Sequence, residues 1–583
     1  MKVLIERFEQ TAAAWPDKLA VLDGPEELSY GELDRRADGL AARLAGRGIR
    51  AGDLVAIALP RSAAQFVAMF AVVKAGAAFL PLDLDHPALR LAQMVRDAAP
   101  RCVITSAAAG AADWLASVPR VDVDEIGEAN AEPPRQAGEV SLDHPAYVLY
   151  TSGSTGEPKG VITSQRALAN RLSWMQERYP LAETDRVVLK TPCGFDVSIW
   201  EYLWALNARA AVVVCKPGGH RDPGYLARLM ADSRVTVAHF VPSMLRVFVD
   251  RGGFAGLTAL RRVFCSGEVL PADLVKRLRA DTDVPVHNLY GPTEAAIDVT
   301  AFDCPGEPPG AVVPIGTAVP GCRTYVLDDR LGHVTGESEG ELYLAGVQLA
   351  HGYLGRPDLT AERFVADPFG GPGERMYRTG DLVRRDGDGL LVFVGRVDGQ
   401  VKIRGQRIEL GEIENTLEAC PGVAQAAVAV ADTPAAGPRL VACWVAESCA
   451  ALVDQDLRAH LAERLPEAMV PAVFVQLDAL PVTASGKLDR RAVAESAAAV
   501  GDVAGSAPQG PVENAVASIW SSLLGVDRVG ATDNFFALGG HSLLVPELVD
   551  QVWRELGVDL PIAVLFEAPT VAEFARAIEG SDP

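Results

Sequence analysis

Ala146-Tyr147-Val148-Leu149-Tyr150, running into Thr151-Ser152-Gly153-Ser154-Thr155-Gly156-Glu157-Pro158-Lys159-Gly160, is the stretch on which the reading of this chain turns. The first five residues are apolar and β-favouring, so they read as a buried strand. The next ten are hydroxyls, glycines and one lysine, and Val161-Ile162-Thr163 opens a second β-favouring run ahead of a helix-compatible stretch. Glycine lets backbone N–H groups approach an anion closely, while hydroxyls and Lys159 add donors and positive charge. The loop therefore reads as a phosphate cradle. It is not a Walker P-loop, which needs four residues between its glycines and then Gly-Lys-Ser/Thr. A flexible Ser/Gly linker would share the composition, but linkers rarely carry a strand on each flank.

Outward from the loop, strands alternate with helices. A short helix and the strand 19–22 lie in the first 28 residues. Ser29-Tyr30-Gly31-Glu32 has the pattern of a capping box, and Leu33, Ala37, Leu40 and Leu44 follow at helical spacing. Buried strands are expected at 53–59, 79–82 and 102–105, with helices at 62–74 and 89–98. Further strands are expected at 187–189, 211–214 and 235–238. This alternation predicts an α/β fold of stacked layers with mostly parallel sheets. The Ala-, Asp- and Glu-rich 107–143 reads as peripheral. Short strands between Gly/Pro turns predict a β-rich subdomain over about 310–395. Residues 399–495 read as a small α+β unit, and 496–510 as a linker by composition. The segment 511–583 reads as a helical bundle, with helices near 512–524, 542–556 and 570–579. The expected domains are thus 1–398, 399–495 and 511–583, with 496–510 between the last two.

Composition narrows the class. A chain of 583 residues with 49% hydrophobic and 22% charged residues is globular and holds several domains. A net charge of −22 argues against nucleic acid or an anionic membrane as partner. The nine cysteines include no C-x-x-C pair, which fits reduced thiols and a cytoplasmic location. Residues 1–10 are charged, without a signal-peptide core, and no apolar run is long enough to span a bilayer.

Separate blocks then agree, in order: the loop 150–160; Gly194-Phe195-Asp196-Val197-Ser198-Ile199-Trp200-Glu201; Asn288-Leu289-Tyr290-Gly291-Pro292-Thr293-Glu294; Tyr377-Arg378-Thr379-Gly380-Asp381; Gly395-Arg396-Val397-Asp398; Pro481-Val482-Thr483-Ala484-Ser485-Gly486-Lys487; and Asp533-Asn534-Phe535-Phe536-Ala537-Leu538-Gly539-Gly540-His541-Ser542. With these blocks the chain resembles the adenylation domain plus peptidyl carrier (thiolation) domain of nonribosomal peptide synthetases, over essentially its whole length. The resemblance implies a large N-terminal adenylate-forming domain, a small C-terminal subdomain and a four-helix carrier.

In that reaction class a carboxylate attacks the α-phosphate of ATP, so two anions meet and cations and donors must stand where charge develops. The resemblance gives Lys487 contact with the substrate carboxylate and the phosphate; context alone would leave it a solvated lysine. It makes Glu294 the Mg²⁺ ligand, as a hard cation's preference for carboxylate and phosphate oxygen allows. Thr151, Ser152, Gly153, Ser154, Thr155, Lys159 and Thr293 would face the phosphates. Tyr290 would stack on adenine, Asp381 would accept the ribose hydroxyls, Arg396 would assist at the nucleotide, and Asp398 would be the hinge. On local grounds alone, Asp381 also fits a turn after Gly380 and Glu294 a helix N-terminal carboxylate.

The resemblance pairs Asp196 with the α-ammonium of an amino acid. Carried over position by position, the side-chain pocket is Val197, Trp200, His239, Phe264, Ser266, Leu289, Ile297 and Asp298, a set similar to that of serine-activating domains. Trp200 and Phe264 leave room for a small side chain, and His239, Ser266 and Asp298 offer polar groups to a hydroxyl, so L-serine is the expected substrate. Taken singly, His239 reads as a core histidine and Asp298 as a surface residue. Ser542 alone would be a helix N-cap; in Leu538–Leu543 it resembles the attachment site of 4′-phosphopantetheine. The partners implied are a phosphopantetheinyl transferase and a downstream condensation or other acceptor enzyme, with or without a small MbtH-like helper. Gly336-Glu337-Ser338-Glu339-Gly340 matches a nucleophile elbow in letters only, because it leads into a strand where an elbow needs a helix. The chain begins at Met1, which fits a stand-alone loading unit and equally a piece of a longer assembly. A carboxylate–CoA ligase of the same superfamily would share the ATP residues but lack Asp196 and the carrier block. A scaffold whose carrier another protein loads would have no need of Lys487, Glu294 and Asp381.

Overall fold

A computed structural model describes residues 4–106, 113–115, 118–123, 140–153, 156–306, 308, 310–403, 405–433, 437–447, 452–483, 488–501, 506–524, 526, 528–536, 538, 540, 544–558, 560–561 and 564–580. The chain forms two compact units, one of Met1–Ser152 with Pro158–Gln406 and one of Gly153–Glu157 with Arg407–Pro583.

The first unit is built on two large sheets and a smaller one. The nine-stranded sheet runs, in spatial order, Thr317–Ala318, Thr300–Asp303, Val286–Tyr290, Arg262–Cys265, Val237–Phe240, Arg186–Leu189, Ala211–Val214, Leu19–Asp23 and Glu26–Ser29. Its interior pairs are parallel and its edges antiparallel. The seven-stranded sheet runs Gly352–Tyr353, Lys159–Ser164, Pro145–Thr151, Ala78–Pro81, Leu54–Ile57, Cys102–Thr105 and Arg120–Asp122. Helices Ala63–Lys74 and Val197–Asn207 are apolar nearly all round, and they belong to one core with residues of both sheets. An all-apolar helix has no face to give to water, so it lies between layers. Lys74, ending one of them, reaches Asp34 at 2.8 Å and Asp38 at 2.6 Å. The β-rich subdomain is a five-stranded sheet of Cys322–Leu327, Gly340–Gly346, Arg375–Arg385, Phe364–Ala366 and Leu391–Arg396.

Several local expectations shift. Ser29 caps its helix by accepting the Glu32 N–H at 3.2 Å, but the Glu32 carboxylate turns to Arg36 at 2.6 Å, so only half of a capping box forms. The strand expected at 235–238 is Val237–Phe240. Arg234 turns with φ +52°, and the Thr236 hydroxyl accepts the Arg186 N–H at 2.9 Å, so pairing begins two residues later.

In the second unit, Val423–Thr433 pairs antiparallel with Gly437–Ala446, which pairs parallel with Val473–Gln476. Helix Arg490–Gly501 takes up the first residues of the expected linker, because the Ala-rich 496–501 favours helix over coil. The carrier segment has helices Gly510–Leu524, Val545–Leu556, Val564–Glu567 and Val571–Glu579 around Trp520, Phe535, Leu548 and Phe574. Thr570 and Glu573 make a complete capping box.

Candidate active site

The loop joins two antiparallel strands, with Thr151 opposite Lys159. Lys159 therefore begins the return strand, and its side chain is buried. Thr151 Oγ1 is buried and, among the described residues, has no hydrogen-bond partner. In the second unit, the Gly153 N–H donates to the Glu412 carboxylate at 3.1 Å, so this backbone does present a donor to an anion. Ser154 and Thr155 lie outside the described residues, as do Lys487 and Ser542.

Residues of the blocks 194–201 and 288–294 lie near the carboxyl ends of the parallel strands, where open α/β sheets bind ligands. His239 lies on Val237–Phe240, Ser266 just past Arg262–Cys265, and Leu289 and Tyr290 end Val286–Tyr290. Asp196 precedes helix Val197–Asn207 and accepts the Thr293 hydroxyl at 2.7 Å. Burial pushes its carboxyl up to about 7; the Thr293 hydroxyl works against that, while the charges of Asp298 and Glu294 add to it.

Trp200 packs edge-on to His239 and to Phe264, at 6.0 and 5.7 Å between ring centroids. His239 Nε2 lies 2.9 Å from Ser266 Oγ. Asp298 is buried rather than a surface residue, and it is paired with Arg171 at 2.6 Å, both side chains at most 1% exposed. Burial raises the Asp298 carboxyl, and the Arg171 charge and hydrogen bond oppose the rise. Arg171 comes from helix Gln165–Arg178, and nothing in the sequence marked it. Gln348 was missed too. Its Nε2 donates to the carbonyls of Ala295 (3.2 Å), Ala296 (3.3 Å) and Asp298 (2.9 Å). It thereby clamps a turn in which Ala296 and Ile297 take φ of +54° and +78°. A left-handed β-branched residue is strained by about 1–3 kcal/mol, and such strain persists only where neighbours over-determine it. Gly291 belongs to the same fold-back: a Cβ there would lie 2.4 Å from the Ile297 carbonyl oxygen.

Thr293–Ala295 is a single 3₁₀ turn, so Glu294 is not the N-terminal carboxylate of a helix. Fully buried Glu294 accepts the Tyr353 hydroxyl at 2.8 Å and lies 3.9 Å from Lys159, whose ammonium is 4.9 Å from the Tyr353 ring centroid. The structure thus brings together the lysine of one block and the carboxylate of another. Among the described residues no group of three or more His, Cys, Asp or Glu could hold a metal. A lone carboxylate suits a Mg²⁺ held mainly by phosphates and water.

Asp381 accepts from the Tyr290 hydroxyl and from Arg396. Arg396 also donates to both oxygens of Asp398, at 2.7 and 2.8 Å, and to the Thr379 carbonyl at 3.1 Å. Burial alone would raise the Asp398 carboxyl, but the Arg396 hydrogen bond and charge hold it below the usual range. The Lys402 ammonium stands 5.5 Å from the Tyr290 ring centroid, within reach of a cation–π contact.

Three family models match: AMP-binding enzyme over residues 8–354, AMP-binding enzyme C-terminal domain over 412–487, and phosphopantetheine attachment site over 514–578. The chain is 46% identical over 579 residues to phosphinothricin tripeptide synthetase PhsB of Streptomyces viridochromogenes, covering 97% of itself and 48% of that protein. It therefore spans about half the length of such curated relatives. Holo-PA1221, a nonribosomal peptide synthetase protein containing adenylation and PCP domains, superposes with a TM-score of 0.84 at 28% identity, over 99% of this chain and 97% of that one. NpsA-ThdA, an artificially fused adenylation–PCP di-domain from Klebsiella oxytoca, is 30% identical with a TM-score of 0.72, over 82% of this chain and 94% of that one. The first family model alone spans more than half of the chain, and the three together follow the order of the sequence blocks: the chain belongs to the AMP-binding enzyme family, as an adenylating ligase of the nonribosomal peptide synthetase type that carries its own phosphopantetheine attachment segment.

Proposed function

We propose that the protein activates L-serine as seryl-AMP and passes the seryl group to its own carrier segment in nonribosomal peptide biosynthesis. The observation that carries this reading is a cluster of buried side chains: the Asp196 carboxyl, suited to an ammonium, and the His239–Ser266 pair beside the Trp200 and Phe264 rings, suited to a hydroxyl. Serine's carboxylate oxygen attacks the α-phosphorus of ATP; that P–O bond forms as the bond to the β-phosphate oxygen breaks, and pyrophosphate leaves with the electron pair. Lys159 and Thr293 supply a positive charge and a hydroxyl to the phosphates, and Lys487 neutralises the carboxylate and the α-phosphate. Tyr290 takes adenine, while Asp381 and Arg396 take the ribose side. Mg²⁺ bound through Glu294 would offset phosphate charge. Ser542 would carry phosphopantetheine, whose thiol would accept the seryl group as AMP leaves, and Asp398 is the hinge between the two half-reactions.

The same reading divides the chain into 1–398, 399–495 and 511–583. A phosphopantetheinyl transferase acts on Ser542, and a condensation or other acceptor enzyme follows. Threonine differs from serine by one methyl, worth about 1–3 kcal/mol of discrimination, so some threonine is activated as well. The test is amino-acid-dependent exchange of pyrophosphate into ATP over a panel of amino acids. Serine should give the highest kcat/KM; a fatty or aryl acid supporting exchange in place of amino acids would overturn the reading.

A further inference from the structure

Glu201 is a fully buried carboxylate to which the proposed reaction gives no task. It stands on helix Val197–Asn207, one turn beyond Val197. Its Oε2 accepts the backbone N–H groups of Lys190 at 3.0 Å and Thr191 at 2.9 Å, and its Oε1 accepts the Thr191 hydroxyl at 2.7 Å. Burial raises its carboxyl, and the Lys190 charge and the three donors turned toward it oppose the rise and hold it as an acceptor. The same Oε1 lies 4.0 Å from His239 Nδ1, a buried nitrogen with no hydrogen-bond partner among the described residues. The far side of that ring, Nε2, is 2.9 Å from Ser266 Oγ.

A neutral imidazole carries one proton, and its position decides what Ser266 can do. Burial, with Lys190 and Arg171 nearby, keeps His239 neutral. If Nε2 held the proton, the Nδ1 lone pair would face the Glu201 carboxylate, charge against lone pair. If Nδ1 holds it, the N–H dipole points at the carboxylate, and Nε2 is free to accept the Ser266 hydroxyl.

We propose that Glu201 fixes His239 in its Nδ1–H tautomer and thereby makes Ser266 Oγ a hydrogen-bond acceptor toward the substrate side chain. The Ser266 proton is committed to His239, its oxygen lone pairs are left to accept, and the substrate must bring a donor. Serine does so; alanine and 3-fluoroalanine, the latter close to serine in size, do not. Glu201 touches no substrate and is a positioning residue. The proposal rests on the serine reading and specifies how that pocket selects.

Glu201→Gln keeps the shape but can turn an NH₂ toward Nδ1, which reverses the relay. The test is kcat/KM in pyrophosphate exchange for serine and for 3-fluoroalanine. Wild type should favour serine by about 100-fold or more, as expected of a site built around a substrate hydroxyl. Glu201→Gln should cut that ratio about tenfold, chiefly through the KM for serine. If both substrates lose activity by the same factor, Glu201 is structural only and the proposal fails. ¹⁵N-histidine-labelled full-length protein, with the His239 signals assigned by their loss in His239→Gln, gives a second readout. Protonated Nδ1 is expected, and protonated Nε2 would overturn the proposal even if Glu201→Gln did not fold. Because the tautomer is read without any amino acid bound, it separates failure of this proposal from failure of the serine assignment.

Discussion

Lowering the pH should weaken amino-acid binding through Asp196. Its carboxyl is pushed up to about 7, raised first by burial and then, against the Thr293 hydroxyl, by the charges of Asp298 and Glu294. Only the ionised carboxylate can pair with an α-ammonium, so binding is fully expressed above that value and is lost as pH falls through it. The apparent dissociation constant scales as one plus the ratio of protonated to ionised Asp196. That factor is about 1.1 at pH 8, about 2 at pH 7 and about 11 at pH 6, a tenfold loss worth ~1.4 kcal/mol across the range. Serine keeps its own charges over the same interval. The assay is calorimetric titration of serine into the protein without ATP, which removes phosphate titration from the reading. Asp196→Asn should flatten the profile and weaken binding at pH 8 by about 2–5 kcal/mol, the cost of truncating one partner of a buried charge pair. A dissociation constant that stays within twofold between pH 8 and pH 6 in wild type, together with undiminished binding in Asp196→Asn, would refute the ammonium–carboxylate pairing.

Arg171→Leu strands Asp298 as an unpaired buried carboxylate and should cost about 3–5 kcal/mol in denaturant unfolding of the first unit, with the double variant Arg171→Leu/Asp298→Leu recovering much of it. Gln348→Leu removes three hydrogen bonds from the turn that carries Ile297; the KM for serine should rise in exchange kinetics while the unfolding midpoint falls only modestly. Lys487→Ala should sharply reduce exchange. Ser542→Ala should leave exchange intact and abolish covalent loading, as read by radiolabelled serine retained on the protein.

The strand, loop and second strand around residues 151–160 were legible in the sequence, because an apolar β-favouring run on each side of a glycine–hydroxyl stretch has one economical fold. So was the bundle at the C-terminal end, where apolar spacing is helical. The partners of the pocket were not. Arg171 reads as one more cation on a helix, and only the packing of that helix against the turn at Asp298 gives the charge a partner 127 positions away. Ile297 gives no hint of a left-handed backbone, since the clamp on it is Gln348, in the turn that follows strand Gly340–Gly346. Lys159 and Glu294 were both named from their motifs, but their meeting beside Tyr353 is a tertiary fact. The strand boundary at Val237 moved because a turn at Arg234 and the Thr236 hydroxyl outweigh the β-propensity of Val235. Helix Arg490–Gly501 ran into the expected linker because composition alone does not separate an Ala-rich coil from an Ala-rich helix.

On the proposed function, one chain both activates serine and accepts it. Intact-mass measurement of the phosphopantetheinylated protein after incubation with ATP, magnesium and serine tests that most directly. Wild type should gain the mass of one seryl group, with none on Ser542→Ala and none without ATP. Wild type that stays unloaded with serine while taking up a different acid under the same conditions would contradict it.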